Sequence, residues 1–352
     1  MNPGNTTSRG LLERLSDGTV ICAEGYLFEL ERRGYIQAGA YVPEVVLEHP
    51  EKVRELHREF VHAGSDVVEA FTYYGHREKL RVIGKEELLE PLNRNALAIA
   101  KEVARESGAL FAGNICNTNI WEPENKKTHD AARAMFEEQV GWAVEAGADF
   151  IIGETFSWTD EALTALEVIR AAGTPSVITF AVDPDGLLDG SDATTACKRL
   201  ADAGADVVGL NCSRGPATML PLLDEIRAAI ACHVAALPVP YRTTPEAAVF
   251  QNLRDTACTC LPNSRTFPTA LDPFQCNRFE IAEFAKAAHA KGVRYLGLCC
   301  GAGPHHLRAM AEALGRTPPA SRYSPDMSKH AYEGTDPNVS AYYKGIGKKL
   351  YE

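Results

Sequence analysis

The sequence has no stretch of about 18 apolar residues free of charge, so no segment reads as a membrane-spanning helix. Its opening, "MNPGNTTSRGLLERLSDG", lacks an apolar signal core. A soluble, cytoplasmic protein with no membrane partner is expected. A basic stripe is also missing: 36 Lys and Arg are dispersed among 47 acidic residues, for a formal net charge of -11. That balance argues against a surface built to neutralise phosphates, so no nucleic-acid partner is expected. Short, regular cysteine spacing of the secreted kind is absent, although there are ten cysteines. Most are therefore read as reduced, buried, small apolar groups. Cys22, Cys116, Cys197, Cys232 and Cys276 receive no role, and Cys258 and Cys260, in a polar loop, are at most exposed thiols or a secondary metal feature.

What is present is a rhythm of eight short β-branched runs separated by longer segments of helical period. The runs are "TVICA" (19 to 23), "DVVEAF" (66 to 71), "ALFAGNI" (109 to 115) and "DFIIGE" (149 to 154). "SVITFAV" (176 to 182), "DVVGLNC" (206 to 212), "VAALPVP" (234 to 240) and "RYLGLCC" (294 to 300) complete the set. Between most of them lie amphipathic segments such as "PEKVRELHREFVHAG", ending in a glycine suited to a left-handed helix stop. The phrase Ala-Gly-small-Asp recurs before strands, at 63 to 66, 146 to 149 and 203 to 206. Eight such units predict an α/β fold of the (β/α)8 TIM-barrel type over residues 1 to 317. A doubly wound open sheet is the competing architecture, but no dinucleotide-type glycine fingerprint follows the first run. The seventh strand has the weakest pattern, and the irregular excursion around it, about 240 to 277, predicts a functional loop. Residues 318 to 352 turn polar and aromatic, which predicts an extended tail packed on something, a second subunit being the natural candidate. A homo-oligomer is the corresponding expectation.

In a closed parallel barrel the carboxyl ends of the strands share one mouth. That filter gathers Glu24 and Gly25 after strand 1, Thr72, Tyr73 and Tyr74 after strand 2, and Asn114 and Asn117 after strand 3. Glu154 and Thr155 follow strand 4, Asn211 and Cys212 strand 6, and Cys299 and Cys300 strand 8. Three thiols at one locus can hold zinc tetrahedrally and leave a fourth position open; ordinary buried cysteines are the alternative. Successive strand residues point to opposite faces, so Cys299 and Cys300 reach one ion only where the ladder has ended and the chain turns. Gly301 and Gly303 permit that turn. His305 and His306 begin the next helix, where solvent or anion contact is expected, and stand outside the site. Three thiolates make zinc a poor Lewis acid for hydrolysis but suit it to activating a thiol, with alkyl transfer to sulfur as the natural reaction.

These residues resemble the zinc-dependent homocysteine S-methyltransferases, and most of all their betaine-using branch. The likeness runs over about residues 10 to 315 and is dense in "ELERRGYIQAGAYVPEVVLEHPEKVRELHREFVHAGSDVVEAFTYY", "GLNC" and "GVRYLGLCCGAGPHHLRAMAE". The resemblance implies a (β/α)8 barrel, Zn2+ as cofactor, and Cys212, Cys299 and Cys300 as its ligands. It also implies transfer of a methyl group from a betaine-like or sulfonium donor to homocysteine, giving methionine, with no general acid or base strictly needed. Glu154 would bind the homocysteine ammonium, Tyr74 would line an aromatic donor cage, and Tyr41 falls where a tryptophan is common. Glu24, Gly25, Thr155 and Asn211 are the remaining substrate contacts expected at these strand ends.

Two departures bear on substrate. The family's Asp-Gly-Gly turn is Ala23-Glu24-Gly25 here, which retains a carboxylate but shifts it by one residue. Thr155 stands in place of the tyrosine of the betaine enzymes, which puts glycine betaine itself in question. S-methylmethionine as donor, a different thiol as acceptor, and a non-catalytic zinc or thiol sensor on the same scaffold are the alternatives.

Overall fold

The computed structural model describes residues 9–259 and 262–351; Cys260 lies outside the described residues. Eight parallel strands form one sheet: β1 (Val20–Ala23), β2 (Val67–Glu69), β3 (Leu110–Cys116), β4 (Phe150–Phe156), β5 (Ser176–Phe180), β6 (Val207–Asn211), β7 (His233–Leu237) and β8 (Tyr295–Leu298). Their order, β1-β8-β7-β6-β5-β4-β3-β2, brings the ends of the sheet round to each other. The seam is bridged by Asp66, whose backbone N–H donates to the Ile21 carbonyl while its carboxylate accepts the Ile21 N–H, both at 2.8 Å. This is the predicted barrel, nearly closed, with helices flanking the strands.

The recurring Ala-Gly-small-Asp phrase acquires a physical meaning here. Its glycine ends a helix in the left-handed region, with φ of 115° at Gly64 and 81° at Gly147. Its aspartate then accepts a backbone N–H from the neighbouring strand: Asp66 from Ile21, Asp149 from Phe111 and Asp206 from Ser176. One short phrase thus stops a helix and fixes the start of a strand pair.

Two buried layers follow from strand alternation. Val20, Cys22, Val67, Ala112, Phe150, Ile152, Val177, Val207, Leu237 and Tyr295 form an inner cluster, joined by Leu11 and Leu15 of the amino-terminal helix Leu11–Asp17. The alternate strand residues pack outward against the helices in a second, larger cluster. After β7 the expected irregular excursion runs through 3-10 turns at Phe250–Asn252, Pro262–Ser264 and Asp272–Phe274. Beyond Pro318 come two further 3-10 turns and the helix Ala341–Tyr351, which rests on Tyr332 and leaves Tyr342 and Tyr351 exposed. No helix among the described residues is long and apolar enough to cross a membrane.

Candidate active site and metal centre

At the carboxyl ends of β6 and β8 the sulfurs of Cys212, Cys299 and Cys300 lie within 4.8 Å of one another. The Cys299 and Cys300 sulfurs are 3.9 Å apart, near the roughly 3.8 Å expected between ligands of a tetrahedral site with Zn–S bonds of about 2.3 Å. The donor set and spacing therefore fit a thiophilic ion. Among themselves the three thiols share protons: hydrogen bonds from Cys299 and Cys300 pull the Cys212 thiol well below its usual range, and the two donors rise.

The local backbone explains how neighbouring cysteines converge. The Cys299 N–H still donates to the Pro238 carbonyl at 3.0 Å, but the ladder of β8 has ended at Leu298. Gly301 then takes φ of 92°, and a Cβ there would overlap the Tyr241 hydroxyl, so glycine is required twice over. Cys212 itself adopts φ of 55°, and Tyr41, Tyr74 and Thr155 also sit in the left-handed region, at 56°, 60° and 63°. For non-glycine residues this costs on the order of 1–3 kcal/mol each, and such strain gathers at functional sites. At Thr155 the surroundings hold the conformation: its N–H donates to Asn211 Oδ1 at 3.0 Å, and its carbonyl accepts from Asn117 Nδ2 at 2.8 Å.

Beside the thiols lies a buried carboxylate cluster. Asn211 Nδ2 donates to Glu154 Oε2 at 2.8 Å and reaches Glu24 Oε2 at 3.4 Å; Asn114 Nδ2 donates to both Glu154 and Glu69. Burial pushes the Glu154 carboxyl up to about 7 against its hydrogen bonds, and raises Glu24 and Glu69 well above the usual carboxylate range. Among the described residues Glu24 Oε1 and Glu69 Oε2 have no hydrogen-bond partner, and both residues line a water-sized cavity with Glu154, Cys299 and Cys300. On the other side, Cys212 and Cys300 form part of the wall of a cavity of about 490 Å³, which opens between aromatic rings that include Tyr41, Tyr73, Tyr74, Trp121 and Trp158.

A family model described as homocysteine S-methyltransferase matches residues 21–314. The chain belongs to that family. As a homocysteine S-methyltransferase family member it is 37% identical over 311 residues to betaine–homocysteine S-methyltransferase 1 of Danio rerio, covering 88% of this chain and 76% of that protein. It is 36% identical to the S-methylmethionine–homocysteine S-methyltransferase BHMT2 of Pongo abelii, covering 91% and 86%. The fold matches that of the homocysteine methyltransferase MmuM of Escherichia coli in its metallated form, with TM-score 0.65 at 19% identity, over 85% of this chain and 98% of that one.

Nearly all the sequence-predicted positions of this family member meet at one place. Glu24, Glu154 and Asn211 stand beside the cysteines, and Tyr41, Tyr74 and Thr155 line the larger cavity. Gly25 lines neither cavity; it packs so closely on the Ala302 carbonyl that a Cβ would overlap it. His306 is buried, not solvent-facing: its Nδ1 accepts the Gly303 N–H at 3.2 Å and its Nε2 donates to the Cys276 carbonyl at 2.9 Å, closing the turn after the cysteines. Sequence reasoning missed Glu69, Trp121, Trp158, Glu161 and Phe250. For Glu69 the signal was available, as a lone acid inside the apolar run "DVVEAF". The two tryptophans and Phe250 come from loops, where no periodicity marks them.

Proposed function

We propose that this chain transfers a methyl group from a betaine-like quaternary ammonium or a sulfonium donor to the thiol of homocysteine, giving methionine. The observation that carries the proposal is the convergence of three thiols between two cavities, one walled by carboxylates and the other by aromatic rings. Cys212, Cys299 and Cys300 would hold Zn2+, which when bound keeps an incoming thiol deprotonated and still nucleophilic at neutral pH. Glu154 and Glu24 face the acceptor side and suit its ammonium group, with Asn211 holding both carboxylates in place. Thr155, pinned by Asn211 and Asn117, shapes the wall between acceptor and donor. Tyr41 and Tyr74 lie on the donor side, where each cation–π contact is worth about 0.5–2 kcal/mol. The Tyr74 ring is already shared with Tyr73, at 4.2 Å between centroids, and with Lys79 Nζ, at 3.8 Å. Fixing the two substrates on either side of the thiols supplies the orientation that an in-line displacement requires.

The tail from 318 to 352, with its exposed tyrosines, forms in this proposal a separate segment that packs on a second copy of the chain. Incubating the zinc-loaded protein with homocysteine and a panel of labelled onium donors should yield labelled methionine. No product from any donor would remove the proposal.

A further inference from the structure

The turn that carries Cys300 is gripped from outside the thiol cluster by Arg32, Tyr241 and Gln275, which line neither cavity. Gly301 follows Cys300 directly, and its carbonyl accepts two side-chain donors, Gln275 Nε2 at 3.1 Å and Arg32 Nη1 at 3.3 Å. The other nitrogen of the same fork, Arg32 Nη2, donates to the Tyr241 hydroxyl at 2.8 Å. That hydroxyl is the group packed against Gly301, in the space a Cβ would take. The left-handed turn, with φ of 92°, is therefore held both at its Cα and at its carbonyl.

The grip joins elements from both sides of the β1–β8 pair. Arg32 ends the helix Tyr26–Arg32 that follows β1, whereas Tyr241 and Gln275 belong to the excursion after β7 and pair with each other through an isolated antiparallel bridge. The fork itself is steadied, since Arg32 Nη1 lies 3.7 Å from Glu29 Oε1 one turn earlier on the helix. A guanidinium is planar and rigid, so fixing one of its nitrogens aims the other. Cys299 is tied to the Pro238 carbonyl, but Cys300 lies past the end of the ladder and takes its direction from the residue after it.

We propose that Arg32 is a positioning residue for the metal: through the Tyr241 hydroxyl and the Gly301 carbonyl it aims the Cys300 sulfur at the locus shared with Cys212 and Cys299. This rests on the assignment of those cysteines to zinc in the function proposed above, and adds the device that keeps the third thiolate in place for methyl transfer. Replacing a residue behind a ligand set typically changes metal affinity by about 10- to 100-fold.

The test loads the full-length chain with Co2+ in place of Zn2+, because thiolate-to-cobalt charge-transfer absorption reports how many cysteines are bound. Zn2+ affinity is measured in parallel by competition with a chromophoric chelator, and urea unfolding of the chelated protein reads the fold alone. Arg32→Met removes both donors and keeps the stem; it should weaken Zn2+ binding about tenfold or more and lower the charge-transfer intensity per cobalt, with the urea midpoint of the chelated protein close to the parent's. Arg32→Lys, which can serve one of the two acceptors, should fall between them. Tyr241→Phe keeps the ring and loses the hydroxyl, and should shift the cobalt spectrum as Arg32→Met does. The double variant should lose little more than either single one, because both act on one turn. Should Arg32→Met not fold, Tyr241→Phe decides by the same readouts. Cobalt spectra and Zn2+ affinities that match the parent's in both single variants, or losses that simply add in the double variant, overturn the proposal and leave the zinc assignment standing. A parent that binds neither metal overturns both.

Discussion

Asn211 is the residue on which the two sides of the site depend, and truncating it to alanine gives a measurable cost. The side chain is fully buried, donates to Glu154 at 2.8 Å and to the Thr155 hydroxyl at 2.9 Å, and accepts the Thr155 N–H at 3.0 Å. Asn211→Ala leaves that N–H without its acceptor and Glu24 Oε2 without its donor, while Glu154 Oε2 keeps the Thr155 hydroxyl at 3.1 Å. An orphaned buried polar group costs about 1–3 kcal/mol, so two imply roughly 2–6 kcal/mol. The left-handed conformation of Thr155 also loses the bond that pins it. Asn211→Asp should cost more than alanine, because it replaces a donor with a further acid beside Glu24 and Glu154, which are already destabilised by burial. Urea unfolding with a chelator present keeps metal binding out of the readout. An Asn211→Ala protein within about 0.5 kcal/mol of the parent, or an aspartate variant more stable than the alanine one, would refute the reasoning.

Three further outcomes follow from the same structure. Burial raises the folded-state pKa of Glu154 to about 7, so the folded protein binds more protons there than the unfolded chain. Stability should therefore be highest below the unfolded carboxylate range and fall as pH rises towards 7, by about 3 kcal/mol for this group. Unfolding of the chelated protein at pH 5 and pH 7.5 measures it; Glu154→Gln should flatten the profile, and a rise in stability over that range that Glu154→Gln leaves unchanged would contradict it. Gly209→Ala drives a Cβ into the Ala235 carbonyl across the β6–β7 pair and should cost more than about 3 kcal/mol or abolish folding. Gly141→Ala, in the helix Lys126–Ala146 with open space around it, should instead gain about 0.5–1 kcal/mol. Thermal melts of the pair decide between them. Gly301→Ala should lower zinc affinity more than overall stability, because the left-handed turn it disturbs is the one that aims Cys300; metal titration beside a urea curve separates the two effects.

Much of this was legible in the sequence because strands buried on both faces announce themselves as β-branched runs, and each of the eight lies within its predicted segment or one or two residues from it. β2 is the instructive exception: the apolar run extends to Phe71, yet pairing stops at Glu69, because Thr72 turns inward to donate from Oγ1 to the Asn114 carbonyl at 2.7 Å. The three cysteines and Glu154 were legible because strand ends in a barrel share a mouth. The left-handed backbone at Tyr41, Tyr74, Thr155 and Cys212 was not, since only contacts distant in sequence hold a non-glycine residue there. The carboxylate pair around Glu24 and Glu69 was half visible: the shift from Ala23 to Glu24 marked one member, but proximity of the other is a property of the closed barrel.

The central claim is that Cys212, Cys299 and Cys300 bind one zinc ion. Elemental analysis of the purified chain, alongside Cys212→Ser, Cys299→Ser and Cys300→Ser, tests it most directly. The account predicts one equivalent of zinc per chain and a large loss in each variant that remains folded by circular dichroism. A parent protein that takes up no stoichiometric zinc, or three folded variants that keep it, would contradict the account.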